Sequence, residues 1–174
     1  AKYYSESGPR FIRSLDVQMN SIGSDDPVYV IPPNSQESKR TKIREGDVLL
    51  TITGSKIGRA SYVPEDFSEA YISQHVAIIR TTHEISSRFL SYFLSMESGG
   101  QRQISNMQYG QTKPGLNLDQ IRRFKIPKPS VEKQNSFISL WEMVDSLADK
   151  SADSGDVLRD LSLSFSQKAF TGQL

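Results

Sequence analysis

A chain of 174 residues has room for one domain, or for one domain with an appendage. Only 36% of it is hydrophobic, in runs well short of the ~20 residues that span a bilayer, and the lack of cysteine excludes a disulfide framework and thiol-ligated metal. The net charge of +1 hides a split: residues 1–130 carry 17 Lys/Arg against 13 Asp/Glu, and residues 131–174 carry 4 against 7. With no secretory signal visible, these features predict a cytoplasmic protein that meets no membrane, with a mildly basic body suited to phosphates and an acidic tail suited to protein.

Phe11-Ile12-Arg13 and Tyr29-Val30-Ile31 read as short strands, the second closed by Pro32-Pro33-Asn34. Lys39 to Arg44 is a basic approach to Gly46. Val48, Leu50 and Ile52 alternate with Thr51 and Thr53 as in a strand, and Gly54 and Gly58 bracket a tight loop that leads to a strand over Ala60–Val63. His75–Arg80 is a further strand rich in β-branched residues. Ser86 then stands as an N-cap before Phe89, Leu90, Phe93 and Leu94, spaced as the core face of a helix that Gly99-Gly100 ends. A short polar helix follows through Ile104 and Met107, Asn117 caps a single turn with Leu118 and Ile121, and Phe124-Lys125-Ile126 is a last strand before Pro127-Lys128-Pro129.

From Val131 to about Phe170 proline is absent. Leu140, Val144, Leu147, Ser151, Ser154, Leu158, Leu161 and Phe165 recur at steps of four and three, the spacing of a coiled-coil seam. Polar seam positions at Ser151 and Ser154, beside Gly155, leave two readings open. One is a continuous helix with a weak middle, which is preferred; the other is two helices hinged near Gly155.

Three loops have the inventory of a nucleic-acid surface. In the first, Thr53, Ser55 and the amides of the Gly54–Gly58 loop suit phosphate, with charge from Lys56 and Arg59, although a bare hairpin turn would look the same. The second, Ser73-Gln74-His75, pairs an amide able to meet an adenine edge with a histidine that either donates or accepts; a purely structural His75 is the alternative. The third, Tyr109-Gly110-Gln111-Thr112-Lys113, combines an aromatic, an amide, a hydroxyl and a cation, and is otherwise a solvated loop. No catalytic triad, placed carboxylate pair or metal constellation is evident, and His83 stands alone. Ile31-Pro32-Pro33-Asn34 has the wrong ends for an adenine methyltransferase motif. Neither metal nor cofactor is expected.

Taken in order, Gly46–Arg59, Ser73–Arg80, Gly110–Lys113 and the ending Gln167-Lys168-Ala169-Phe170-Thr171-Gly172-Gln173-Leu174 resemble one half of the DNA specificity subunit of a type I restriction–modification system. The resemblance runs from about Arg10 to the last residue. It implies an α+β fold: a mixed target-recognition domain over residues 1–130, then a long C-terminal coiled-coil helix over 131–174. That helix serves dimerisation, through Leu140, Val144, Leu147, Leu158, Leu161 and Phe165, and contact with a methyltransferase subunit. It further implies a non-catalytic subunit that reads double-stranded DNA while partner methyltransferase (modification) subunits methylate adenine and a restriction subunit cleaves. The DNA-binding residues expected are Thr53, Ser55, Lys56, Arg59, Gln74, His75, Tyr109, Gln111, Thr112 and Lys113.

Family members carry two recognition domains and two paired helices. One domain and one helix here fit either a half-subunit that pairs with a second copy of itself or a fragment whose other half lies elsewhere. The scant sequence before Phe11 and the initial Ala, where Met would start a gene, lean towards the fragment. A protein–protein scaffold working through its coiled-coil helix is the rival reading, and a free-standing nuclease or methylase ranks third.

Overall fold

Val48, Leu49 and Leu50 are wholly buried in the computed structural model, so the strand they form is covered on both faces. The structure describes residues 3–108 and 114–150, the side chains of 148–150 excepted. In chain order the elements are β1 (Tyr4–Ile12), β2 (Tyr29–Val30), α1 (Gln36–Thr41), β3 (Asp47–Thr51), β4 (Ala60–Tyr62), β5 (Ala70–Ile72), β6 (Val76–Arg80), α2 (Ser87–Ser95), α3 (Arg102–Gln108), α4 (Leu118–Arg122) and α5 (Val131–Lys150).

They form two three-stranded sheets. One runs β4-β3-β6, antiparallel throughout; the other runs β2-β1-β5, with β1 antiparallel to β2 and parallel to β5. Between the sheets, Leu49 joins Ile12, Val17, Ile43, Val63, Ala70, Ile72 and Val76. On the other face of β3, Val48 and Leu50 meet Leu90, Phe93 and Leu94 of α2. The alternation expected of β3 therefore holds, with Leu49 as well as Thr51 turned to the second face.

The stripe on α2 is buried as its spacing predicts, and the helix has a second partner. Phe89, Tyr92 and Met96 pack against Phe137 and Ile138 of α5, with Trp141 at the edge of the cluster. Tyr92 and Trp141 stack with ring centres 5.2 Å apart, and Phe89 meets Phe137 edge-on at 5.5 Å. The Tyr92 phenol is pushed well above its ordinary value, first by burial and then by the nearby Glu142 carboxylate. Glu142 also receives the Arg88 guanidinium at 3.2 Å.

Several local expectations need correction. The first strand begins at Tyr4 and stops before Arg13, whose guanidinium turns to the buried Asp16 at 3.1 Å. The Lys39–Arg44 run belongs partly to helix α1, which Ser35 caps by accepting from the Ser38 amide. Strand β5 lies where the sequence predicts no element. Ser86 holds the N-cap position without a side-chain cap, and α2 ends at Ser95, ahead of the two glycines. Phe124-Lys125-Ile126 is not a strand: the Gln103 side chain donates to the Lys125 carbonyl (3.1 Å) and accepts from its amide (2.8 Å), replacing a strand neighbour. The Asn117 cap is present as a full capping box with Gln120.

Gly99 and Gly100 form part of a wide turn over Glu97–Gln101 that folds back onto α2. A Cβ on Gly100 would lie 2.4 Å from Leu94 Cα and 2.7 Å from its carbonyl oxygen. Both contacts are to backbone, so α2 itself would have to move. Gly100→Ala should cost about 2–3 kcal/mol in urea denaturation; an unchanged midpoint would show that the turn relaxes freely.

Candidate nucleic-acid interface

Glycine at two positions shapes the β3–β4 loop. Gly54 (φ +95°) and Gly58 (φ +92°) both take left-handed backbone that other residues rarely adopt. The Gly58 amide returns to the Thr51 carbonyl at 3.0 Å, and its own carbonyl accepts from Gln101 Nε2 at 2.9 Å. A Cβ on Gly58 would come within 3.0 Å of Gln101 Oε1, whereas the space around Gly54 is open. The loop is thus anchored at one end and free at its tip, where Gly54 and Ser55 are exposed.

Two other segments meet this loop where β3 ends and β6 begins. The Ile52 amide donates to the His75 carbonyl at 2.9 Å, which extends the β3–β6 ladder into Ser73-Gln74-His75. Thr53 bridges to Gly115, and the Leu116 amide donates to the Ile52 carbonyl at 2.8 Å. Side chains join as well: Thr53 Oγ1 and His75 Nδ1 are 2.5 Å apart, and Gln74 Nε2 is 3.2 Å from His75 Nε2. Gln74 and His75 are exposed although the strands on either side of them are buried.

Of the expected site residues, Thr53, Ser55, Lys56, Gln74 and His75 thus come together at one end of the β4-β3-β6 sheet. Lys56 is partly exposed and has no ion-pair partner among the described residues. Arg59 differs, because its guanidinium donates to Gln18 Oε1 and is partly covered. Tyr109, Gln111, Thr112 and Lys113 lie outside the described residues, immediately before the Pro114–Leu116 segment that pairs with the loop. In the basic run, Lys42 is tied to Glu69 at 2.9 Å, and Glu69 is held below the usual carboxylate range by Lys42 and by the Tyr71 hydroxyl.

The contact between Thr53 and Gly115, more than sixty residues apart, carries no sequence signal, and neither does the hold of Gln18 on Arg59. Among the described residues no group of three or more His, Cys, Asp or Glu could hold a metal ion. Nor, among them, is any helix long and apolar enough to cross a membrane.

Two small sheets with a long helix docked on the side are the fold that the chain shares with solved type I specificity chains. The family model for type I restriction modification DNA specificity domains matches residues 13–148, and the chain belongs to that family. It is 27% identical to the type I restriction enzyme EcoBI specificity subunit of Escherichia coli, over 97% of this chain and 36% of that subunit. A chain of a type I R-M system, solved for its complex assembly and conformational transition, shares the fold with a TM-score of 0.65 and 18% identity; the match covers all of this chain and 42% of that one. The HsdS subunit from Thermoanaerobacter tengcongensis matches with a TM-score of 0.59 and 19% identity, over 87% of this chain and 37% of its own. The chain therefore spans well under half the length of each of these relatives.

Proposed function

We propose that this chain is a DNA-reading module of a type I restriction–modification complex, a recognition element without chemistry of its own. Modification subunits would methylate adenine at the site it selects, and a restriction subunit would join through the complex. The observation that carries the reading is the convergence of the Gly54–Gly58 loop, Ser73-Gln74-His75 and the segment beginning at Pro114 on one sheet end. Rigid strands hold exposed amides, hydroxyls and Lys56 there, an arrangement that suits base edges and phosphates of double-stranded DNA.

Salt dependence tests it. Counterion release makes log affinity fall linearly with log salt, and each lost phosphate contact lowers that slope by about 1. Lys56→Ala should weaken binding to all sequences and lower the slope by that amount. Arg59→Ala should change it less, because the guanidinium must first leave Gln18. The triple variant with Lys113→Ala should bind weakest. A scaffold would show no salt-dependent DNA binding at all, and equal binding by the triple variant and the parent would remove this surface from the interface.

A further inference from the structure

The geometry points to His75 as a positioning residue that, held by Thr53, sets the Gln74 amide to read adenine in an A·T pair. The inference rests on the DNA-reading function proposed above and adds which base one side chain selects. Gln74 presents Nε2 to His75 Nε2 at 3.2 Å, while Thr53 Oγ1 lies 2.5 Å from Nδ1 on the other side of the ring. A neutral imidazole carries one N–H donor and one acceptor. The Thr53 hydroxyl serves either tautomer, donating to a bare Nδ1 or accepting from Nδ1–H, and the Gln74 amide meets Nε2 with an N–H in one tautomer and with Oε1 in the other.

The consequence falls on the outer edge of Gln74. His75 takes one N–H or one Oε1 lone pair from the inner side of the amide, and the outer edge keeps one Oε1 lone pair and one N–H. An acceptor beside a donor is the complement of adenine in the major groove, which offers the N6 amino group and the N7 lone pair. Turning the amide over exchanges the two positions and leaves the same pair, one acceptor and one donor, on the outer edge. The Thr53–His75 contact therefore acts by holding the plane in which Gln74 offers that edge. Thr53 can hold the ring because its own backbone is fixed by the bridge to Gly115 and by the β3 strand that precedes it.

The test is selection of the purified 174-residue chain on a randomised double-stranded DNA pool, sequenced to give a base preference at each position. The parent should show one position strongly enriched in adenine, since a good bidentate contact discriminates by roughly 5- to 150-fold. Gln74→Ala should flatten that position and leave the others unchanged. His75→Phe and Thr53→Val should erode the same position towards no preference, whereas Thr53→Ser keeps the hydroxyl and should keep the adenine. A preference lost in Gln74→Ala but intact in His75→Phe and Thr53→Val would overturn the positioning role, since Gln74 would then read unaided. A parent whose selected site no Gln74, His75 or Thr53 variant alters would overturn it too and leave DNA reading standing. If the parent selects no site, DNA reading and the inference built on it both fail.

Discussion

Gln134→Leu should unseat the long helix. Gln134 is only 1% exposed, and it is the one buried polar side chain on α5 among the described residues. Its Oε1 accepts from the Ser86 amide at 2.8 Å, and its Nε2 donates to the carbonyls of Glu84 (2.8 Å) and Pro129 (3.0 Å). One side chain thus fastens the turn before α2, the Pro127–Pro129 exit and the first turn of α5. Leucine fills similar space and satisfies none of these three groups. Leaving a buried backbone group unpaired costs about 1–3 kcal/mol, and water can reach part of this site because Glu84 is exposed and Ser86 only half-buried. A loss of about 3 kcal/mol in urea denaturation is expected. The chain has a single tryptophan, Trp141, stacked on Tyr92, so its emission reports directly on the docked helix. A parental midpoint with unshifted Trp141 emission would show that the aromatic cluster holds α5 without help.

That docked face illustrates what the sequence conceals. The residues that fix α5 to the body, Gln134, Phe137, Ile138 and Trp141, follow helical spacing just as Leu140, Val144 and Leu147 do. The longer repeat runs through the second set. Burial separates them: the first group is largely covered by α2, whereas Leu140 and Val144 are half-buried and Leu147 is exposed. Strands β3, β4 and β6 were legible because β-branched and apolar residues fill consecutive positions there. Most of β1 was not, since Tyr4–Arg10 includes Ser, Glu, Gly and Pro and breaks register between Ser5 and Arg10. Its strand character comes from distant partners, β2 and β5. Strand β5 itself, only Ala70–Ile72, is too short to show a period. The candidate surface was legible as separate loops, because glycine and polar residues mark loops locally. Their meeting depends on the pairing of β3 with β6 and with Gly115, which no local pattern records. Ser151, Ser154, Gly155, Leu158, Leu161 and Phe165 of the predicted seam lie outside the described residues.

If the Leu140–Leu147 seam pairs two copies of the chain, Val144→Asp with Leu158→Asp should turn that dimer into a monomer, and the parent dimer should select a split, inverted-repeat DNA site. At 100° per residue the Leu140–Leu147 seam lies roughly 100° around α5 from the docked face, so the helix can hold its own domain and a second helix at once. A carboxylate at each of two seam positions would be buried without a partner, a cost that a helix pair of this length cannot absorb. Sedimentation gives the assembly state, and persistent dimers in the double variant would move the seam elsewhere. Antiparallel pairing would bring the Ser151–Ser154 segments of the two chains together and set the domains apart at opposite ends. Each domain then offers the same side chains to its half-site, so two-fold symmetry in the protein imposes it on the DNA. Helix length limits the spacing. A helix from Val131 to about Phe170 would span roughly 60 Å at ~1.5 Å per residue, but the stretch through Trp141 is spent on docking. Roughly 43 Å remains between the two bodies. Half-sites recur on one face of the duplex every ~34–36 Å, so one turn between their centres fits and two do not. Sequencing of methylated adenines in cells with and without the gene reads the site directly. A continuous motif, or one with two unrelated halves, would mean that the chain works as part of a larger asymmetric subunit, in keeping with the 36% of the EcoBI specificity subunit that it spans.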